Sequence, residues 1–360
     1  MNPGNETRDV LTAEVARRVV SGSCPPLGEL VDARALVNGI VGLVATGGST
    51  NHTLHIVAIA QAAGYSLKWD VFSDLSDVVP LVARVHPNGP ADINHFHAAG
   101  GMAFVIGQLL DAELLHAVVA TVMGEGLDAY RREAVIEGGR VTRWQEGQYR
   151  SLDSAVLRPV DDPFSAEGGI KLLSGNLGRA VMKVSAVKSE HRVIEAPAAV
   201  FDDQKDLMMA FERGDLNRDV VAVVRFQGQR ANGMPELHKL ITSLGVLQGL
   251  GYRVALVNDG RMSGASGKIP AAIHLSPEAA SGGMLPRIVD GDLVRVDSLR
   301  GTVDVLVDEA TLAVRAPAAP DLAANETGVG RELVGLLRAN AQPAEAGAMS
   351  ILGPPNGSGG

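Results

Sequence analysis

The sequence predicts an α/β protein of two domains, a partial α/β or mainly helical portion over residues 1–160 and a β-rich portion over 165–345. Three observations support this fold class. The 360-residue length exceeds what one ordinary core uses. Hydrophobic residues make up 46% and charged residues 20%, which is the balance of a globular protein with a sizeable interior. Near residue 160, helical apolar spacing gives way to short valine-rich strands.

The individual elements follow from the same patterns. Before residue 160, helical spacing appears in "LTAEVARRVV", "TLHIVAIAQAAG" and "GMAFVIGQLLDAELLH". After it, "DVVAVVRF" at 219–226 and "YRVALVNDG" at 252–260 predict strands, and "DLVRVDS" with "TVDVLVDEA" predicts a hairpin across "LRG". "GRELVGLLRANA" predicts a final amphipathic helix, and the glycine-rich end at 346–360 predicts a disordered tail.

Composition and charge exclude several classes of protein. A net charge of −9 without a basic stripe argues against a nucleic-acid partner, so an anionic substrate must be held by local donors. The apolar runs are too short to span a bilayer, and the N-terminus has no signal pattern, so we expect no membrane association and a cytoplasmic location. The single cysteine, Cys24, allows neither an internal disulfide nor a zinc or iron–sulfur site made of this chain's cysteines.

The stretch "ATGGSTNHTLHIVAIAQAAG" at 45–64 is the first candidate site. Two glycines before a helix start expose backbone N–H groups, which suits a phosphate or carboxylate. The alternative is a tight turn in which Ser49 or Thr50 caps the helix. His52 and His55 share a helical face, but a metal site would need a third ligand. The candidate substrate-binding residues here are Gly48, Ser49, Thr50 and Asn51.

The loop "VHPNGPADINHFHAAGGMAF" at 85–104 is the second candidate site. It is too polar for a core and too long for a simple turn, so it either lines a cleft or is an ordinary surface loop. Its hydrogen-bonding groups are Asp92, Asn94 and His95.

The third candidate joins "GMPELHKL" with "NDGRMSGASGK" at 258–268. Pro235 predicts a helix start, and the helix dipole or a bound hard cation accounts for Glu236. Because this helix is followed by a strand, its start and the strand's end lie at the same edge, where Glu236 and Ser263 can meet. Ser263 is either a general base or a donor to substrate. Arg261 and Lys268 supply positive charge. The loop lacks the G-x-S-x-G pattern of a serine hydrolase.

Six motifs together carry a family resemblance. They are "ATGGSTNHTLH", "VFSDLSDVVP", "HPNGPADINHFHAAGG", "LSGNLGRAVMK", "ANGMPELHKL" and "VNDGRMSGASGKIPAAIHLSPEA", in this order between about residues 30 and 340. The chain thereby resembles the dihydroxy-acid/6-phosphogluconate dehydratase family, and its "INHF" and "SGASGK" are most similar to the phosphogluconate branch. The resemblance implies an α/β N-terminal domain and a C-terminal β-barrel-like (swivelling β/β/α) domain, with the active site between them.

The resemblance also implies a reaction. Family members eliminate water from a 2,3-dihydroxy acid to give a 2-keto-3-deoxy acid, here 6-phosphogluconate in the Entner–Doudoroff pathway. A 4Fe-4S cluster acts as Lewis acid on the 3-hydroxyl, a serine alkoxide removes the C2 proton, and Mg²⁺ is present in several members. Carried onto this chain, the base is Ser263 and the metal ligand is Glu236. Lys268 is expected to contact the phosphate or carboxylate, with Arg261 and Ser266 as further substrate-binding residues.

One departure from the family concerns the cluster. Its cysteine ligands lie in a segment that precedes the part matched here, and Cys24 falls where the family has no ligand. We therefore expect the C-terminal three-fifths of such an enzyme, without its N-terminal cluster-binding part and inactive when isolated. Its partner would be a separate N-terminal half, and the full-length form would be a homodimer. The alternatives are a non-catalytic relic that binds sugar acids and a dehydratase of another sugar acid or dihydroxy acid.

Overall fold

The computed structural model describes residues 6–263, 267–319 and 322–351. The helices are α1 (Glu6–Val20), α2 (Leu27–Leu30), α3 (Ala33–Thr46), α4 (His52–Ala62), α5 (Trp69–Val78), α6 (Ile93–Ala98), α7 (Gly101–Asp111), α8 (Gln204–Arg213), α9 (His238–Gly249), α10 (Glu309–Val314) and α11 (Gly335–Ala339). The strands are β1 (Ala120–Thr121), β2 (Gly124–Glu125), β3 (Arg132–Glu137), β4 (Arg140–Glu146), β5 (Ile170–Gly175), β6 (Gly178–Lys183), β7 (Val193–Phe201), β8 (Val220–Val224), β9 (Val254–Asn258), β10 (Ala271–Ser276), β11 (Leu293–Asp297) and β12 (Thr302–Val305).

The chain forms two compact units. The first comprises Met1–Gly47 and Leu75–Gly168, and the second comprises Gly48–Asp74 and Gly169–Gly360. A single change of unit near 160–165 was expected from the sequence. The C-terminal unit also takes in Gly48–Asp74, which includes α4 and most of α5, because the buried groups of this segment pack and hydrogen-bond within that unit.

The first unit is helical with two β-ribbons. In its described residues, α3 is the most buried helix, and its start is fixed by Asp32, whose side chain accepts the N–H of Ala35 at 2.8 Å. Gly47 ends α3 in the left-handed conformation, with a φ of 57°, which glycine adopts without a steric penalty. The strand pairs β1–β2 and β3–β4 are antiparallel.

The second unit is built on one eight-stranded sheet of order β12-β11-β7-β8-β9-β10-β6-β5. The four central strands, β7 to β10, run parallel, and the flanking strands pair antiparallel. The two edges meet, since Ser174 N–H donates to the Gly301 carbonyl at 2.9 Å and the Asn176 amide exchanges two hydrogen bonds with Val305, each 2.8 Å long. The sheet is therefore nearly closed, in agreement with the barrel-like domain implied by the resemblance.

The side chains of each strand point alternately to the two faces of the sheet, and this alternation explains the arrangement. In β8, Val221 and Val223 face the barrel interior, whereas Val220 and Val224 face an outer layer formed with α8 and α9. Both faces of the central strands are buried, so these strands appear in the sequence as continuous apolar runs. The predicted strands at 219–226 and 252–260 are confirmed as β8 and β9, and the predicted hairpin is confirmed as β11–β12.

Three local predictions need correction. The helix expected to start at Pro235 begins at His238, so Glu236 precedes its first turn. The final helix is confined to Gly335–Ala339 because turns occupy the preceding residues. Residues 346–351 of the expected disordered tail are tied down, with Gln342 N–H donating to Met349 O at 2.8 Å and Ala348 N–H donating to Pro343 O at 3.1 Å. The remainder of that tail lies outside the described residues.

Among the helices that the structure describes, none has the length and apolar character required to cross a bilayer.

Candidate functional site

The loops that follow β8, β9 and β10 meet at one edge of the sheet, because parallel strands end on the same side. Asp259, directly after β9, joins these loops. Its Oδ1 accepts the Gln227 N–H and its Oδ2 accepts the Ala279 N–H, both at 2.9 Å. Burial, with a smaller contribution from Glu278, raises the pKa of Asp259 to about 6. Asp259 therefore holds the base of the loop that carries Ser263.

Arg261 fixes the next part of that loop. Its Nη1 donates to Glu236 Oε1 at 3.0 Å, its Nε donates to Met234 O at 2.8 Å, and its backbone carbonyl accepts the Leu237 N–H at 3.1 Å. The two segments thus meet, as the helix-then-strand argument predicts. The side chain that contacts Glu236 is Arg261. A metal-ligand role for Glu236 stays a prediction, and the described residues contain no cluster of three or more His, Cys, Asp or Glu side chains arranged to hold a metal.

Ser263 directly follows Met262 in this loop. Met262 before it and Ile269 after it are almost fully buried in the outer core, so the loop is anchored at both ends. Ser263 is half-buried and Lys268 is exposed, whereas Ser266 lies outside the described residues. The burial of Met262 holds the backbone next to Ser263 in place. The catalytic role of Ser263 and the substrate contacts of Ser266 and Lys268 stay predictions.

The segment at 48–53 packs beneath the same sheet edge in the second unit. Gly48 and Ser49 are half-buried, and Thr50 and Asn51 are buried. The prediction that Ser49 or Thr50 caps α4 is wrong, because Asn51 is the N-cap and makes no side-chain capping bond, and Ser49 Oγ instead accepts the Asn51 N–H at 3.3 Å. The buried Asn51 Oδ1 has no hydrogen-bond partner in the described part of the chain. The proposed role of Gly48, Ser49, Thr50 and Asn51 in substrate binding stays a prediction.

His274 is a buried group that sequence reasoning missed. It is fully buried in β10 with a φ of 58°, and its backbone N–H donates to Gly260 O at 2.9 Å. Its Nδ1 lies 3.3 Å from Thr53 Oγ1, while its buried Nε2 has no hydrogen-bond partner among the described residues. Burial, and then the charges of Arg261 and His55, lower the pKa of His274 to about 3. The imidazole is therefore neutral, and its apolar neighbours in "AAIHLS" gave only a core signal.

Lys183 is a second missed group. Its side chain, at the end of β6, is nearly buried, and burial alone lowers its pKa to about 8. It lines a cavity of about 20 Å³ together with Thr50, Met262 and Gly267. An ammonium group is thus held beneath the loop that carries Ser263, with no carboxylate partner among the described residues. Asn258 at the end of β9 is also fully buried, and neither atom of its amide has a partner among those residues.

A larger cavity of about 770 Å³ opens beside Arg261 within the second unit. Its volume lies in the range of small-molecule sites. The charged and amide-bearing residues that line it are His55, Gln229, Asn232, Arg261, Arg331 and Arg338. No aspartate or glutamate appears among its described lining residues. This cavity suits an anionic molecule.

The second candidate site belongs to the first unit and forms a helix start. Asp92 Oδ1 accepts the N–H of Asn94 at 2.8 Å and that of His95 at 3.0 Å, and it lies 2.8 Å from His95 Nδ1. These hydrogen bonds, led by the backbone bond from His95, lower the pKa of Asp92 to about 2. All three side chains are exposed. The structure accounts for them as a capping box of α6, and their role in substrate binding stays a prediction.

The donor groups of the chain do not fit an iron–sulfur cluster. Such clusters are held mainly by several cysteine thiolates, and this sequence has one cysteine. Cys24 lies between α1 and α2, half-buried and unpaired. One thiol offers a single bond to iron, so this chain cannot hold the cluster by itself.

Two family models match the chain. The dihydroxy-acid/6-phosphogluconate dehydratase C-terminal model matches residues 155–348, and the N-terminal model of the same family matches residues 1–130. Sequence of both domains is therefore present, which corrects the expectation of a C-terminal piece alone.

Curated relatives agree with these matches. A phosphogluconate dehydratase of Pseudomonas aeruginosa is 58% identical over 364 residues, covering 99% of this chain and 59% of the relative. The Escherichia coli K12 phosphogluconate dehydratase is 55% identical, covering 98% of this chain and 59% of its own length. A dihydroxy-acid dehydratase of Ignicoccus hospitalis is 36% identical over 84% of this chain and 52% of its own length. The chain thus spans less than two thirds of these relatives. The expectation that it is inactive when isolated gains no support from them.

Proposed function

Because the chain belongs to the dihydroxy-acid/6-phosphogluconate dehydratase family, we propose that it is part of a hydro-lyase that converts 6-phospho-D-gluconate to 2-dehydro-3-deoxy-6-phosphogluconate, an Entner–Doudoroff step. The observation that carries the proposal is the serine loop, anchored at a sheet edge beside a cavity lined by guanidinium groups. An anionic polyhydroxy acid fits that chemistry. The relatives named phosphogluconate dehydratase, 48–58% identical, support this substrate over a branched dihydroxy acid.

Ser263 is the proposed base. Its alkoxide takes the C2 proton, the electron pair of the C–H bond forms the C2–C3 double bond, and the 3-hydroxyl leaves with the electron pair of the C3–O bond. The proton that Ser263 has accepted passes to the leaving hydroxide, which departs as water and restores the alkoxide. The resulting enol becomes the 2-keto acid. A serine hydroxyl is a weak acid, so the alkoxide needs positive charge nearby. Lys183, buried below the loop, and Arg261, which is ion-paired with Glu236, are the cations that we propose for this role.

The Lewis acid for the departing hydroxyl is not supplied by this chain's cysteines, for the reason given above, and the ligands of a 4Fe-4S cluster would come from residues beyond it. Glu236 is a chemically suitable ligand for Mg²⁺, since carboxylate oxygen is what that ion prefers. The cation would compete with Arg261 for the same carboxylate. The family resemblance further supports a homodimer, which sedimentation would test.

The proposal is tested by measuring 2-keto-3-deoxy acid formation from 6-phosphogluconate by the chain, alone and together with a cluster-bearing N-terminal segment of a relative. Ser263→Ala is the matched variant, because it removes only the hydroxyl. We expect the variant to lose turnover at least a hundredfold while its dissociation constant for 6-phosphogluconate stays within about twofold. Full turnover by the variant would contradict the role of Ser263. Binding without product in every mixture would favour a sugar-acid-binding relic.

A further inference from the structure

We propose that Arg331 and Arg338 bind the phosphate group of the substrate in the 770 Å³ cavity, and that they select phosphorylated sugar acids over unphosphorylated ones. This inference rests on the proposed function and names the part of the site that recognises the far end of the substrate.

The first argument is the charge of the cavity. Three arginines and one histidine line it, with no carboxylate among the described lining residues. Arg261 is already neutralised by Glu236 at 3.0 Å. For Arg331 and Arg338, no ion pair with a carboxylate forms anywhere in the described part of the chain. Two cations without counter-charge match the charge of a phosphate group, about −1.5 to −2 at neutral pH, better than they match a single carboxylate.

The second argument is the hydrogen bonding of these two guanidinium groups. Arg331 Nη1 donates to the amide oxygens of Asn232 at 3.3 Å and Asn325 at 3.4 Å, which are long, neutral contacts. Arg338 Nε is buried, and within the described residues it has no hydrogen-bond partner. A buried donor without an acceptor is costly, and phosphate oxygens are the acceptors that a guanidinium binds most strongly. The two side chains thus have donors ready for an oxyanion.

The third argument concerns the other residues that line the cavity. The buried Gln229 carries an orphan Oε1, an acceptor that a sugar hydroxyl would satisfy. Arg261 and Pro235, from the segments beside Ser263 and Glu236, line the same cavity. A sugar acid with its carboxylate end at the serine loop has its phosphate at the opposite end of the molecule. Arg331 and Arg338 are the cations in the wall that have no carboxylate partner among the residues that the structure describes.

The test uses calorimetry to measure ligand binding by four proteins. They are the unaltered chain, the Arg331→Gln variant, the Arg338→Gln variant and the double variant that carries both substitutions. The probes are 6-phosphogluconate, inorganic phosphate and gluconate. Arg300→Gln, which changes an exposed arginine in the β11–β12 turn, is the matched control. Circular dichroism and the urea midpoint establish that each variant is folded. We expect the double variant to bind 6-phosphogluconate at least a hundredfold more weakly, with gluconate binding within twofold and the control unchanged.

The possible outcomes separate this inference from the proposed function. Folded variants that bind 6-phosphogluconate as tightly as the unaltered chain overturn the phosphate site, whatever the activity. An unaltered chain that binds gluconate as tightly as 6-phosphogluconate also overturns it. Arginine-dependent phosphate binding without any dehydration, even with the cluster-bearing segment present, supports the phosphate site and defeats the proposed function.

Discussion

Replacing His274 by asparagine should change how the stability of the protein depends on pH. The folded chain holds this imidazole neutral, with a pKa of about 3, because it is buried near Arg261 and His55. In the unfolded chain its pKa returns to about 6.5. Between these two pH values His274 is protonated in the unfolded chain but not in the folded chain. The free energy of unfolding therefore falls as pH falls from 6.5 towards 3. Above 6.5 the contribution is constant.

The size of this effect on the free energy of unfolding follows from the uptake of one proton when the chain unfolds. The slope is at most about 1.4 kcal/mol per pH unit, so His274 should cost about 2 kcal/mol between pH 6.5 and pH 5. Asp259 acts in the opposite direction. Its folded pKa of about 6 exceeds its unfolded value of 3.8, so its contribution to stability decreases as pH rises from 3.8 to 6. The curve of the unaltered chain alone can therefore be nearly flat, and the difference between two chains is the quantity to measure.

His274→Asn isolates the imidazole, because asparagine tolerates the φ of 58° and does not titrate. Urea denaturation of both chains at pH 5, 5.5, 6, 6.5 and 7.5 gives the free energy of unfolding at each pH. We expect the unaltered chain to lose about 2 kcal/mol relative to the variant between pH 6.5 and pH 5. A difference that stays constant within about 0.5 kcal/mol over this range would refute the assignment of a neutral, buried imidazole.

Three further predictions concern stability, and urea denaturation measures each. Leu256→Ala opens a cavity between β9 and the outer helices and should cost about 2–5 kcal/mol; a cost below about 1 kcal/mol would contradict the described core. Lys183→Met removes a buried ammonium and should raise stability at pH 7 by up to about 3 kcal/mol; a loss would reveal a compensating interaction. Glu236→Gln breaks a half-exposed ion pair with Arg261 and should cost at most about 1 kcal/mol, so a larger loss would reveal a further structural role.

The sequence determined much of the local architecture. The valine-rich runs became β8 and β9, and the "LRG" hairpin became β11–β12, because strand propensity and turn chemistry are local properties. It also predicted that the segments carrying Glu236 and Ser263 meet, since a helix followed by a parallel strand begins where that strand ends. The side-chain contact that the structure shows between these segments joins Glu236 and Arg261. The expectation of a barrel-like domain, and the site residues that stay predictions, came from the order of several motifs together.

Only the tertiary structure decided which polar groups are buried and which cations have no carboxylate partner among the described residues. His274 and Lys183 stand in apolar strand patterns, and Arg331 and Arg338 stand in a stretch that resembles an ordinary surface helix. Burial and cavity walls arise when distant segments pack, and no local spacing encodes them. For the same reason, nothing in the sequence of residues 48–74 showed that they belong with the C-terminal unit. The buried hydrogen bond between Thr53 and His274, 221 residues apart, forms only in the folded chain.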